Sequence, residues 1–294
     1  MNPASGGGST GRKWPELARR AAAAGLPGET VRSAAPGEIA TLAQQAASDG
    51  ARLVVAVGGD GTAHEAVNGL LRAGAGTELA LLPRGTGDDF ARALGVRGGF
   101  EQALAVARNG RVRTIDAGRV TYESDGAEAE SFFCSMAGVG MSGAVARRLM
   151  TTTKALGGKA AGIIATLAVF SRWTNVELQV KVDGESRTGL MQDVLVANTE
   201  YHNGGMNLCP GASPDDGVFD VLLVGDVTKR ELLVELPRLY RGTFLPHPKA
   251  ELLRGRTITV ESETLLPIEL DGEQPGTTPV RFEVLPGALG VRVP

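Results

Sequence analysis

Over residues 1–115 the apolar positions switch between two spacings. Two short runs, ARLVVAV (51–57) and ELALLP (78–83), are apolar without a break and read as buried strands. Around them, WPELARRAAAA (14–24), GEIATLAQQAASDG (37–50) and AHEAVNGLLRAG (63–74) place apolar residues at helical spacing. Strands separated by helices pair in parallel, so this part reads as an α/β domain with helices on both faces of its sheet. From residue 116 the texture changes. TIDAGRVTYE, AESFFCSMAGVG, NVELQVKVDG, RTGLMQDVLVANT, GVFDVLLVG, RTITVESE, LPIELDGE and PVRFEVLP are strand-like runs joined by glycine-containing turns. Helical segments over 142–172 and 228–240 interrupt them. That pattern predicts a mostly antiparallel β domain, with a boundary near Asp116.

Composition agrees with two globular domains. The chain has 294 residues, 43% hydrophobic and 21% charged, against a prior of about 150 residues per domain. A net charge of −3 argues against a global electrostatic grip on nucleic acid. Aromatics at 4% argue against base stacking, and the 41 glycines point to tight turns and backbone-lined sites. Cys134 and Cys209 are not in a CxxC pair, and two lone thiols suit a reducing compartment. The N-terminus lacks an apolar signal core, and the longest apolar stretch, AAGIIATLAVF (160–170), is too short for a bilayer. The expectation is a cytoplasmic protein without a transmembrane segment, or one peripheral at the inner face of a membrane. Arg147, Arg148, Lys154, Lys159 and Arg172 are mixed with apolar residues over 147–173. That stretch reads either as a core-packed helix with solvated ends, the reading favoured, or as a face that docks on anionic lipid.

The candidate chemistry lies in glycine-rich loops. After the first strand comes Gly58-Gly59-Asp60-Gly61-Thr62, which then opens a helix. Glycines let backbone N–H groups approach a phosphate, and the helix N-terminus adds a positive dipole end. Thr62 and Glu65 have the spacing of a capping box. The loop matches neither a Walker nor a dinucleotide fingerprint. A carboxylate such as Asp60 in a phosphate cradle repels the phosphate unless a cation intervenes, which suggests Mg²⁺. A second loop, LPRGTGDDFARALG (82–95), contains Gly85 and Thr86 and opens a helix at Asp88-Asp89. Loops at the carboxyl ends of successive parallel strands converge on one crevice. A third, Asn2-Pro3-Ala4-Ser5-Gly6-Gly7-Gly8, is either another phosphate clamp or a disordered terminus, and its position favours disorder.

Taken together, NPASGGG, GGDGTAHEAVNGL, LPRGTGDDFARALG, YHNGGMNLCPGASPDDGVFDVLLV (201–224) and IELDGEQ (268–274) resemble, in order and over nearly the whole chain, the catalytic-domain family of diacylglycerol kinases. Sphingosine and ceramide kinases are relatives within it. The resemblance implies a doubly wound, Rossmann-like nucleotide domain (1–115) and a C-terminal antiparallel β-sandwich lipid domain (116–282). Residues 283–294 would return to the first domain. It implies ATP and Mg²⁺ as cofactors and phosphoryl transfer to a lipid hydroxyl, diacylglycerol or a related lipid, at a membrane surface, and leaves a homodimer open. By residue, it implies nucleotide contacts at Asn2, Ser5, Gly6, Ser33, Gly58, Gly59, Asp60, Gly61, Thr62, Glu65, Gly85 and Thr86. Asp60 would act in catalysis. A structural Mg²⁺ would lie at Asp216, flanked by Ser213 and the Val218 backbone. Glu273 would be the general base, although Asp271-Gly272 is also a strong hairpin-turn signal on its own.

Two departures stand out. The family has a strand before the NPxSG loop, so the expectation is that the natural start lies upstream. Asp88 replaces the family's usual Asn, which adds negative charge near the nucleotide unless Arg84 or Arg92 offsets it. An NAD kinase, which shares the GGDGT loop, and a non-catalytic nucleotide- or lipid-binding regulator are the alternatives.

Overall fold

The computed structural model describes residues 1–151 and 158–294. The chain divides into two compact units, one of residues 1–115 with 287–294 and one of residues 116–286.

In the first unit the order is α1 (Ser9–Ala23), α2 (Glu38–Ser48), β1 (Leu53–Gly58), α3 (Asp60–Ala73), β2 (Glu78–Pro83), α4 (Asp89–Ala93) and α5 (Phe100–Asn109). Strand β3 (Arg111–Ser124) then leads out of it. β1 and β2 pair in parallel from Leu53 opposite Glu78 to Gly58 opposite Pro83. Val291, near the end of the chain, adds to β2 in parallel opposite Leu79. Burial explains the unbroken apolar runs: Leu79, Ala80, Leu81 and Leu82 are all in the core, as a parallel strand covered on both faces requires. Arg292 ties the chain end to the unit. Its Nε donates to the Glu78 carboxylate at 2.8 Å and its Nη1 to the carbonyls of Ala107 and Arg108 at 3.3 and 2.9 Å.

Helices α2 and α3 cross through small residues. Ala43, Ala47 and Ala66 are buried there. A β-carbon on Gly69 would lie 2.1 Å from the Ala40 carbonyl oxygen and 2.9 Å from the Ala43 β-carbon. The opening residues are ordered, contrary to the expectation from position. The Asn2 N–H donates to the Val57 carbonyl at 3.0 Å, and the Ser33 N–H donates to the Met1 carbonyl at 3.1 Å. Residues 1–2 thus bridge the carboxyl end of β1 and the segment around Ser33, and that backbone pairing outweighs the entropy of a chain end.

The second unit continues with β4 (Ala127–Phe133), β5 (Met136–Gly140), α6 (Met141–Thr151), α7 (Gly158–Arg172), β6 (Val176–Val182), β7 (Glu185–Met191) and β8 (Asp193–Ala197). There follow a short hairpin of β9 (Tyr201–His202) and β10 (Met206–Asn207), then β11 (Phe219–Val224) and α8 (Lys229–Arg241). It closes with β12 (Ala250–Gly255), β13 (Thr257–Glu261), β14 (Ile268–Leu270) and β15 (Thr277–Val293), the last of which re-enters the first unit. One antiparallel sheet has the order β12-β11-β8-β5-β14. In the other, β13 pairs antiparallel with β15 and β6, and β6 with β7. Their inner faces share one core. Val139, Val194, Val196 and Val221 come from the first sheet, and Val180, Ile258, Val260 and Phe282 from the second. Phe133 stacks on Phe219 at 5.3 Å between ring centroids and meets Phe282 edge-on at 6.1 Å. This is sheet-on-sheet packing, a β-sandwich.

The stretch expected as one helix over 142–172 is two, α6 and α7. Residues 152–157, with Lys154, lie outside the described residues. Over 164–172 only Ala165 is buried, while Ile164 and Leu167 are exposed. Val145 and Ala146 at the start of α6 are buried, but of the side chains described over 147–173 only Ala165 is, so that segment is not a core-packed helix.

Asp193, the first residue of β8, is fully buried. Its carboxyl accepts the Ser142 N–H at 3.0 Å and the Ser142 hydroxyl at 2.8 Å, which satisfies the first turn of α6. Burial, aided by the Glu269 carboxylate, pushes the Asp193 pKa well above the usual carboxylate range.

Two stability outcomes follow. Gly69→Ala forces a methyl against the Ala40 carbonyl and should cost roughly 1–3 kcal/mol in denaturant unfolding. Gly28→Ala, with open space around it, should leave the midpoint unchanged. For Asp193 the folded-state pKa is raised, so above about pH 4 the unfolded chain gives up this proton more readily than the native one. Stability from this group is full below that pH and is lost as pH rises. Unfolding curves at several pH values should show wild type losing stability relative to Asp193→Asn as pH increases; parallel profiles would reject it.

Candidate active site

Three backbone loops meet at the carboxyl ends of β1 and β2. The Arg84 N–H donates to the Gly58 carbonyl at 2.7 Å. A β-carbon on Gly85 would lie 2.6 Å from the Gly59 α-carbon, so both positions exclude any side chain. Gly6, at φ +59°, lies in the first loop, and a β-carbon there would sit 3.0 Å from the Arg84 carbonyl oxygen. Residues 1–8, 58–62 and 84–88 are therefore in mutual backbone contact. A concavity lined by Ala56, Gly59, Asp60, Ala63, Pro83 and Asp88 opens beside them. The caps of α1 and α3 are Gly8 and Gly59, and neither offers a side-chain acceptor to the first helical N–H groups. At α1 the carbonyls of Gly6, Ser5 and Pro3 accept the N–H groups of Ser9, Thr10 and Gly11, whereas the N–H groups of residues 60 and 61 that open α3 are the kind that hold phosphate.

The polar residues of the loops are locked together. Thr62 is buried; its hydroxyl accepts the Asn2 Nδ2–H at 3.1 Å and lies 3.5 Å from the Ser5 hydroxyl. The Asn2 Oδ1 accepts the Ala4 N–H at 3.0 Å. Asp60 spans two loops, its Oδ1 accepting the Phe90 N–H of α4 at 3.3 Å. Thr86 is exposed on the second loop, and Ser33 is buried. The capping-box reading of Thr62 and Glu65 is overturned. Helix α3 starts at Asp60, so Thr62 is already inside the helix. The Glu65 carboxylate instead accepts the Ile39 N–H at 3.0 Å and serves the start of α2.

Asp88 carries the local charge problem. It holds a left-handed backbone at φ 52°, which Asn and Asp tolerate. Its Oδ1 accepts the Gly85 N–H at 2.9 Å. Burial raises its pKa, and this outweighs the opposing pull of that hydrogen bond and of Arg84 and Arg92; Asp89 adds to the rise. The Asp60 carboxylate, at the start of α3, is an oxygen donor of the kind that suits a hard divalent cation accompanying a phosphate.

In the second unit, Asp271-Gly272 forms a two-residue hairpin turn. Leu270 and Glu273 exchange N–H···O bonds of 2.8 and 2.9 Å, with φ 50° at Asp271 and 94° at Gly272. The Asp271 carboxylate accepts three backbone N–H groups, from Cys134, Ser135 and Met136, at 3.0, 2.9 and 3.1 Å. It fixes the turn to the entry of β5. Glu273, the next residue, is exposed.

One neighbour was not foreseen. Glu269 alternates with Ile268 and Leu270 and would be expected to face solvent, yet it is 2% exposed. Helix α6 packs against β14, so both faces of that strand are covered. The Glu269 carboxylate accepts the Gly272 N–H and lies 3.3 Å from His202 Nε2. Pairing a His on β9 with a Glu on β14 leaves no local trace in the sequence.

In the 213–218 turn the polar groups are engaged with one another and with β12. The Asp216 carboxylate pairs with Arg254 and accepts the Val218 N–H at 3.3 Å, and the Ser213 hydroxyl donates to Asp215 at 2.7 Å. Antiparallel pairing of β11 with β12 puts Arg254 opposite Asp220 and so beside this turn. Arg254 is thus the positive charge beside Asp216 among the described residues. Among the described residues no cluster of three or more His, Cys, Asp or Glu could hold a metal ion.

Residues 1–120 match the family model of the diacylglycerol kinase catalytic domain, and residues 135–293 match the YegS C-terminal NAD kinase beta sandwich-like domain. A diacylglycerol kinase of Staphylococcus carnosus is 26% identical over 293 residues, covering 100% of this chain and 93% of that protein. One from Staphylococcus aureus (strain bovine RF122 / ET3-1) is 27% identical over 293 residues, covering 100% and 90%. A crystal structure from Bacillus anthracis shares the fold at a TM-score of 0.78 and 24% identity, covering 100% of this chain and 95% of that one. With the two models accounting in order for nearly all of its length, the chain belongs to the diacylglycerol kinase catalytic-domain family of lipid kinases, with a YegS-type C-terminal domain.

Proposed function

We propose that this chain transfers the γ-phosphate of ATP to a lipid hydroxyl, with diacylglycerol as the acceptor and phosphatidic acid as the product. The observation that carries the reading is the meeting of three glycine loops around Asp60 at the carboxyl ends of parallel strands. The relatives' names support diacylglycerol as the acceptor.

In this reading the backbone N–H groups of residues 6, 7, 59–61, 86 and 87 hold the ATP phosphates, with no P-loop lysine. Asp60 would hold the Mg²⁺ that accompanies ATP, and the ion would offset phosphate charge. Glu273 accepts the proton of the lipid hydroxyl as its oxygen bonds to the γ-phosphorus and the bond to the β-phosphate oxygen breaks, leaving ADP. Asp271 keeps the Glu273 backbone fixed through the three N–H groups it accepts.

Purified protein with Mg·ATP labelled on the γ-phosphate should move label into detergent-dispersed diacylglycerol and not into NAD; label in NADP would overturn the acceptor. Asp60→Asn keeps an acceptor for the Phe90 N–H, so the fold should persist while kcat/KM falls by about a hundredfold or more. Glu273→Gln should lower kcat by about 10²–10⁴ with ATP binding intact; near-normal turnover would reject the base role. Asp88→Asn keeps the acceptor for the Gly85 N–H and removes a negative charge beside the loops. Calorimetric titrations with Mg·ATP should therefore show tighter binding by the variant; weaker binding would make the carboxylate a required ligand.

A further inference from the structure

Helix α8 is amphipathic but buries no residue. Leu233 is 56% exposed, Val234 66%, Leu236 41% and Tyr240 52%. At 3.6 residues per turn, Leu233, Leu236 and Tyr240 lie on one side of the helix, and Arg230, Val234 and Arg241 border them. The acidic residues face the other way and are satisfied within the fold. Glu231 closes a capping box with Thr228 and binds the Lys249 ammonium at 2.8 Å, which holds its carboxyl well below the usual range. Glu235 pairs with Arg238 at 3.1 Å. Arg230 and Arg241 form no ion pair among the described residues. The start of α8 is tied to the end of α7, since the Lys229 ammonium donates to the Ser171 carbonyl at 2.5 Å. Helix α7 itself leaves Ile164 47% and Leu167 56% exposed.

Several large apolar side chains of one short helix are thus left in water, which burial against a partner would relieve. A surface of this kind marks a partner. We infer that α8 docks this chain on an anionic lipid surface, with Leu233, Leu236 and Tyr240 inserted among acyl chains and Arg230 and Arg241 at the phosphate level. The inference deepens the lipid-kinase reading and rests on it. Charge selects the partner. A symmetric contact between two copies would place Arg230 and Arg241 against their own equivalents, with the acidic residues of the helix already engaged. Phosphate headgroups supply the missing negative charge, and the tyrosine suits the interface. Bringing the helix to the bilayer also brings the second unit to where a diacylglycerol acceptor resides.

The test is sedimentation with vesicles of phosphatidylcholine, with and without phosphatidylglycerol. Wild type should bind the anionic vesicles and bind pure phosphatidylcholine at least tenfold more weakly. Leu233→Glu/Leu236→Glu and, separately, Arg230→Glu/Arg241→Glu should each weaken anionic-vesicle binding at least tenfold. These side chains are exposed, so unfolding curves of the variants should match wild type. Turnover on a monomerically dissolved short-chain diacylglycerol should not change, while turnover on vesicle-borne diacylglycerol should fall with binding. Vesicle binding by the variants equal to wild type would overturn the docking face, as would failure of wild type to bind anionic vesicles. A change of oligomeric mass with vesicle binding intact would assign the face to a second copy instead. If wild type binds vesicles through α8 but phosphorylates neither form of the lipid, the kinase reading fails and the docking face stands.

Discussion

The first unit depends on a close approach between two backbones. Gly59 and Gly85 come so near that a β-carbon on either would collide with the other's α-carbon. That approach needs strands β1 and β2 in parallel register, so that both end at the same level. It also needs the Asp60 carboxylate to hold the start of α4 and the Asp88 carboxylate to hold Gly85. With the opening loop packed through Gly6 and Asn2, three sets of N–H donors share one place. Fixing them beforehand removes the ordering cost that a flexible phosphate loop would bear on each binding event.

The second unit solves a different problem, how to hold polar groups inside a sandwich. Asp271 and Asp193 each accept several donors, and each fixes the start of an element, β5 and α6 respectively. Buried carboxylates of this kind are tolerated only with their acceptors satisfied. The shift of Asp193 shows that burial still outweighs its hydrogen bonds. Glu269 and His202 extend the same polar layer to the turn that carries Glu273.

The parts of the fold legible in the sequence are those with local periodicity. LVVAVG and ELALLP read as strands because both faces are covered, and the alternation in VELQVKV shows a strand with one face in the core. The glycine loops were legible because close approach leaves few other residue types. What escaped depends on pairing at long range. Arg254 reaches Asp216 only because β12 lies beside β11, and Glu65 meets Ile39 only because α2 crosses α3. The order of residues 1–8 rests on bonds to Val57 and Ser33 that no local pattern announces.

The central claim is that the three loops hold the phosphates of ATP through their backbones. Amide spectra of isotope-labelled protein titrated with Mg·ATP test it most directly. The account predicts shifts concentrated at Gly6, Gly59, Gly61 and Gly87, with the core amides of the second unit unmoved. Saturable ATP binding that leaves those four glycine amides in place would contradict it.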